Sequence, residues 1–111
     1  MVKGMANLSL QRAPSFQQLA TADEQGLKGF NVSTWNGFFG PKGMAPEIVA
    51  KLNQVVSATI DTPVIAEKLH EQGVTPPPPD QRTPEFLAKF VKDEVARWDG
   101  PIKAAGIKAS N

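Results

Sequence analysis

The 111-residue sequence has no cysteine and only one histidine, His70. The missing cysteines exclude a disulfide framework, a thiolate nucleophile and a zinc site with cysteine ligands. A single histidine excludes a metal site built on two histidines of one chain. No apolar run approaches the roughly 18 residues that a membrane-spanning helix needs, and residues 1–14 lack the apolar core of a secretory signal. We therefore expect no metal, no membrane span and, for the chain as printed, no export signal.

The sequence also has little excess charge of either sign. Its 12 Lys and Arg residues against 11 Asp and Glu residues leave a net charge of +1, which excludes the broad basic surface typical of nucleic-acid-binding proteins. Hydrophobic residues make up 41% and charged residues 21%, which argues against wholesale disorder. A chain of this length forms one domain or part of one. We expect an arm or weak strand over residues 1–13 and a single domain over residues 14–111.

Two consecutive helices are predicted between residues 46 and 73. Pro46 presets the backbone of a first helical turn, and apolar residues then recur at helical spacing as far as Ile60. Thr62 and Pro63 give the cap and first-turn signals of a second helix. Gly73 is suited to end that helix, because glycine adopts the left-handed conformation without steric cost.

A third long helix is predicted near the C-terminus. It starts at Thr83 and Pro84, in the same order of cap and proline. We expect the pair Gly100-Pro101 to interrupt it, because proline has no amide hydrogen to offer the helix. Residues 14–20 predict a short helix, and the four prolines at 76–79 predict a stiff, polyproline-like connector.

Residues 30–39 predict the one clear strand. Their sequence, FNVSTWNGFF, is rich in aromatic and β-branched residues, which favour a pleated, half-buried surface. The following Gly40-Pro41 ends the strand, because proline cannot donate to a ladder. The predicted fold class is therefore a helix-rich α/β fragment with three main helices and one strand.

This strand has at most one weak partner in the sequence, residues 2–10. An unpaired edge rich in Phe and Trp is a template for another chain. The apolar faces of the helices add further surface that a soluble monomer rarely exposes. We therefore expect the chain to form a homodimer.

The candidate ligand-binding residues are Ser33, Thr34, Trp35 and Asn36. Hydroxyl and amide groups beside an indole ring are typical of small-molecule sites. The same pattern is also compatible with a structural role, in which Trp35 packs in a core while Ser33 and Asn36 cap the strand. The residues alone leave both interpretations open.

The remaining polar motifs indicate no further chemistry. His70 lies between Glu67 and Glu71 on a helix, without a neighbouring nucleophile, and is interpreted as a surface or partly buried residue. The turn at 40–43 has its lysine before the second glycine, whereas a phosphate-binding loop needs the opposite order. We expect no catalytic residue, no metal and no cofactor, and hence no enzyme.

Several segments, read together and in order, resemble one known family. They are 13–19 (APSFQQL), 29–39 (GFNVSTWNGFF), 41–46 (PKGMAP) with 48–53 (IVAKLN), 69–73 (LHEQG), 83–86 (TPEF), and Trp98 with 102–107 (IKAAGI). They look like the C-terminal third of the Bug receptors, the TctC family of solute-binding proteins of tripartite tricarboxylate transporters. The resemblance runs from about residue 12 to residue 108.

This resemblance implies a fold and a function. Members of the family are periplasmic, with two α/β lobes that close by a hinge motion over a small anionic ligand, usually a di- or tricarboxylate or an amino acid. Membrane transporter subunits then recognise the closed form. The C-terminal third returns to the first lobe, where its strand joins the sheet and its helices pack on that sheet.

The chain departs from the family in length, because nearly all of the parallel sheet of the first lobe and nearly all of the second lobe have no counterpart in it. We therefore expect a truncated receptor for small carboxylates that does not bind its ligand alone, and that stays in the cytoplasm if expressed as printed. The alternative is a self-associating helical interaction module without transport activity.

Overall fold

The computed structural model of the chain describes residues 2–108. Within that range it contains three α-helices: α1 (Pro46–Ile60), α2 (Pro63–Glu71) and α3 (Pro84–Ala104). Single 3₁₀ turns lie at Pro14–Phe16 and Pro79–Gln81. The helix-rich fold predicted from the sequence is confirmed, and each of the three helices begins at its predicted proline.

The ends of α2 follow the chemistry of the sequence only in part. Gly73 takes a φ of +70°, the Gly73 amide donates to His70 and the Val74 amide donates to Leu69. This pair of bonds is the Schellman arrangement that closes a helix. At the other end, Thr62 occupies the cap position without a side-chain cap bond, and its hydroxyl donates to the carbonyl oxygen of Thr59 at 2.7 Å.

Helix α3 is longer than predicted. Thr83 caps it as expected, with its Oγ1 accepting the Phe86 amide at 3.1 Å. The helix then continues through Gly100 and Pro101 to Ala104, so the predicted interruption is wrong. The residue before a proline usually avoids the helical region because its Cβ meets the proline ring. Gly100 has no Cβ, so this clash is absent, and the rest of the helix has to offset the lost hydrogen bond at Pro101 and the contact of its ring with the preceding turn.

The predicted strand over residues 30–39 is wrong: no residue of that segment belongs to a ladder. In the described range, the single β-bridge joins Asn7 to Thr21 in parallel orientation. A strand exists only through a partner's hydrogen bonds. The Val32 amide donates to the Leu8 carbonyl at 2.8 Å, but no ladder forms around this bond. The predicted short helix at 14–20 is likewise reduced to Pro14–Phe16.

The contacts of the chain group it into two units. In the described range the first unit consists of residues 2–39 and 59–76, and the second of residues 40–58 and 77–108. The predicted division into an arm over 1–13 and one domain over 14–111 stays a prediction, and residues 109–111 lie outside the described residues.

In the second unit, Arg82 holds the end of the proline-rich connector to α1. Its Nε donates to the carbonyl of Pro77 at 2.7 Å, and its Nη1 donates to the carbonyl of Ser57 at 3.4 Å. The backbone of Arg82 is fixed as well, because the side-chain amide of Asn53 donates to its carbonyl. One arginine thus links the proline tract to α1.

Very little of either unit is buried. Between residues 2 and 108 only Thr21, at 1% exposure, and Ala22, at 2%, count as buried. Large apolar side chains on the helices remain half-exposed, among them Ile48 and Leu52 at 50% each and Val95 at 66%. The amphipathic faces that the sequence predicted are present, but several of their large apolar side chains are about half-exposed.

Candidate functional site

The four candidate ligand-binding residues lie in the segment that follows Val32. Ser33, Thr34 and Asn36 are exposed, and Trp35 is 39% exposed. Trp35 is therefore not a core residue, and the structural alternative raised by the sequence does not describe its position. The backbone keeps the four polar groups together as consecutive residues.

Two backbone tethers fix the approach to these residues. Gly29, with a φ of +74°, donates its amide to Oδ1 of Asp23 at 2.7 Å. Val32 donates its amide to the carbonyl of Leu8 at 2.8 Å. Ser33 follows Val32 directly. The start of the candidate site is therefore positioned by two hydrogen-bonded residues, Gly29 and Val32, which are three positions apart in the sequence.

The turn that carries Asp23 is closed by a reciprocal pair of hydrogen bonds. Oγ1 of Thr21 accepts the Glu24 amide at 3.1 Å, and Oε2 of Glu24 accepts the Thr21 amide at 2.7 Å. This is a capping box, in which a hydroxyl residue and a Glu three positions later satisfy each other's backbone amides. The motif Thr21-Ala22-Asp23-Glu24 could have been found in the sequence from this spacing, although we did not predict it.

Arg12 completes the polar network of the turn. Its Nε and Nη2 donate to both carboxylate oxygens of Glu24, at 2.9 to 3.2 Å, and its Nη1 donates to the carbonyl of Gln17 at 3.0 Å. A two-pronged pairing of this kind is directional as well as charged. Both side chains are nearly half-exposed, so the pair orients the turn more than it adds stability.

The electrostatics of the network hold its carboxylates ionised. The hydrogen bond from Arg12, followed by the bond from the Thr21 amide, lowers the pKa of Glu24. The hydrogen bond from the Gly29 amide, with a smaller contribution from Lys28, lowers the pKa of Asp23. The same contact with Glu24 raises the pKa of Arg12. All three groups are therefore charged near neutral pH.

The segment before Arg12 is also locally ordered. Oδ1 of Asn7 accepts both the amide and the hydroxyl of Ser9, each at 3.1 Å, which is an Asx turn. The backbone of Asn7 donates to Ala20 and accepts from Ala22 on the other side of the bridge. These contacts place Leu8 where its carbonyl receives the Val32 amide.

The other residues considered from the sequence form no site. His70 is exposed, and its backbone carbonyl accepts a hydrogen bond from the Ser15 hydroxyl at 3.5 Å. In the part of the chain that the structure describes, no group of three or more His, Cys, Asp or Glu side chains could hold a metal ion. Nor does any helix between residues 2 and 108 combine the length and apolarity that a membrane crossing requires.

Comparison with known proteins shows that the chain is similar to a family of transporter receptors. The sequence model described as "Tripartite tricarboxylate transporter family receptor" (TctC) matches residues 1–107. A curated relative, Protein BugT of Bordetella pertussis, is 31% identical over 107 residues, which cover 96% of this chain and 32% of the relative.

Solved structures agree with this match. MatC of Rhodopseudomonas palustris with bound malate is 39% identical with a TM-score of 0.77, over 86% of this chain and 32% of that protein. The periplasmic binding protein BugD is 34% identical with a TM-score of 0.79, over 95% of this chain and 35% of that protein. The chain therefore spans about a third of the length of each of these three proteins.

Proposed function

This chain belongs to the tripartite tricarboxylate transporter receptor family, and from that premise we propose that it is part of a periplasmic receptor for small carboxylates. The observation that carries the proposal is the likeness to a malate-bound structure over 86% of the chain. The likeness to a periplasmic binding protein over 95% of the chain supports the compartment. The function is binding and delivery rather than catalysis, and its partners are the membrane subunits of the transporter.

The candidate contribution of this chain to the ligand site is the run Ser33, Thr34, Trp35 and Asn36. Two hydroxyls and an amide can donate hydrogen bonds to a carboxylate, and an indole ring can cover the carbon chain of the ligand. Their exposure leaves them accessible to a ligand. The tethers at Gly29 and Val32 support the proposal, because a binding segment with a fixed start loses less conformational freedom on binding.

We further propose that the chain alone is a truncated receptor that does not bind the ligand tightly. A small anion is held tightly only where protein surrounds it and replaces its water. The four candidate residues present one open surface, and the chain spans about a third of the length of its relatives. Calorimetry of the isolated chain with malate, succinate and citrate should therefore show no micromolar binding. A micromolar Kd for any of these acids would contradict the proposal that the chain alone does not bind its ligand tightly.

A chimera tests the receptor function itself. The corresponding third of malate-binding MatC would be replaced by residues 1–108 of this chain, which the likeness of the two backbones permits. The folded chimera should bind malate or another small di- or tricarboxylate, and the double variant Ser33→Ala/Asn36→Ala should bind it more weakly. The matched control is Ser57→Ala/Gln54→Ala, which likewise removes one hydroxyl and one carboxamide, here from α1. A folded chimera that binds none of these acids would refute the proposal.

A second candidate function, self-association, is favoured by the uncovered apolar side chains. Phe38 is 81% exposed and Phe39 67%, while Val95 on α3 is 66% exposed. A two-fold homodimer would cover such surface on both copies with one interface. Sedimentation at micromolar concentration should show a dimer, and a stable monomer of 11.9 kDa would exclude this function.

A further inference from the structure

We propose that Asp23 is a positioning residue, whose carboxylate sets the course of the chain from Gly29 to the candidate ligand residues at 33–36. This inference rests on the proposed function. Asp23 itself does not belong to the run of candidate residues, and it acts through the backbone amide of Gly29.

The first step of the argument is the conformation of Gly29. Its φ of +74° lies in the left-handed region, where the chain turns sharply and where glycine is unstrained. Because glycine has no side chain to restrict its backbone, the loop could also adopt other backbone conformations at this position. The 2.7 Å bond to Oδ1 of Asp23 selects one of these conformations. The Phe30 amide then donates to the Leu27 carbonyl at 3.1 Å, which continues the same turn.

The second step is the rigidity of the support. Asp23 lies inside the capping box of Thr21 and Glu24, and it follows Thr21 and Ala22, the two buried residues of the described range. Arg12 fixes Glu24 from the other side. A tether positions a loop only if its own anchor does not move, and this anchor is the best-packed part of the first unit.

The third step is the charge on the tether. A carboxylate accepts a hydrogen bond from a backbone amide more strongly than a neutral oxygen does. Lys28 lies 3.4 Å from Oδ2 of Asp23 and favours the ionised form, whereas the neighbouring Glu24 opposes it. The side chain of Asp23 is 29% exposed, so protons can reach it from solvent. The hydrogen bond between Val32 and Leu8 joins two backbone groups and involves no titratable group. Of the two hydrogen bonds, only the one to Asp23 therefore depends on a side-chain charge.

Amide hydrogen exchange of the isotope-labelled chain tests the proposal with three variants. Asp23→Ala removes the acceptor, and Asp23→Asn keeps an oxygen acceptor without the charge. The control Asp99→Ala removes a carboxylate from α3 that pairs with Lys103. We expect Asp23→Ala to speed exchange at Gly29 and Val32 by about ten-fold. Asp23→Asn should speed it by less than about three-fold, and Asp99→Ala should leave it unchanged.

A spectroscopic readout separates positioning from general loosening. In a Trp98→Phe background, Trp35 is the remaining tryptophan, and its emission reports on the candidate residues. Lowering the pH should shift that emission as Asp23 becomes protonated, and the shift should be absent in Asp23→Asn. If Asp23→Ala leaves the Val32 amide and the Trp35 emission unchanged, or if Asp99→Ala alters both equally, the proposal is overturned.

Malate binding by the MatC chimera distinguishes this proposal from the proposed function. If the chimera binds malate and Asp23→Ala weakens binding by about ten-fold while Asp99→Ala does not, the proposal is supported. If Asp23→Ala binds malate as tightly as the unchanged chimera, the positioning role is refuted while the receptor function stands. If the chimera binds no carboxylate, the receptor function fails and Asp23 has no ligand site to position.

Discussion

The buried hydroxyl of Thr21 offers a direct test of how the first unit is held together. Thr21→Val replaces the hydroxyl by a methyl group of similar size, so the substitution leaves no cavity at a position that is 1% exposed. It removes only the acceptor of the Glu24 amide, now at 3.1 Å. Loss of such a cap costs about 1 kcal/mol, which corresponds to a local opening about five times more frequent.

Amide exchange measures this opening within the turn itself. The Leu27 amide, which donates to Ala22 at 2.9 Å, and the Gly26 amide, which donates to Asp23 at 3.2 Å, should each exchange about five times faster in the variant. Both amides keep their backbone acceptors in the variant. A faster exchange rate therefore reports the loss of the cap at Thr21 and not the loss of the amide's own hydrogen bond.

The matched control is Thr62→Val, because Thr62 stands at a helix cap without making the cap bond. Its hydroxyl donates to Thr59 instead, so the exchange of Gly26 and Leu27 should not change. An acceleration of less than about two-fold in Thr21→Val, or an equal acceleration in Thr62→Val, would refute the assignment of the capping box as the anchor of the turn.

Three further predictions concern charge and the helices. The lowered pKa values of Asp23 and Glu24 stabilise the first unit above the pKa of about 4 that these groups have in the unfolded chain; this contribution should be lost as the pH falls below it, and exchange of the turn amides against pH measures the loss. Thr83→Ala should destabilise α3 by about 1 kcal/mol, whereas Thr62→Ala should cost α2 less, as helical circular dichroism in urea would show. Pro101→Ala should stabilise α3 by up to about 3 kcal/mol, because it restores one helical hydrogen bond and removes the ring clash; an unchanged or lower urea midpoint would contradict this.

The polar network around Arg12 illustrates what sequence reasoning missed. The local part, Thr21 with Glu24, follows a recognised spacing and was within reach of the sequence. The pairing of Arg12 with Glu24 joins residues 12 positions apart, and the bridge of Asn7 with Thr21 joins residues from two irregular segments. No periodicity in the sequence predicts such pairs, since each depends on how the chain between the two residues folds.

The sequence by itself determined the three helices of this protein, because their signals are local. Prolines at the first turn, the Thr83 cap and the left-handed Gly73 act within a few residues of the backbone groups that they satisfy. Tertiary structure alone decided the rest. Residues 30–39 have strand composition but form no ladder, since a strand's hydrogen bonds come from another segment and the bond from Val32 to Leu8 is not continued into one. The course of the chain into the candidate site depends on folding in the same way, because the Leu8 carbonyl that receives the Val32 amide lies 24 residues earlier, whereas the Asp23 carboxylate lies only six residues before Gly29.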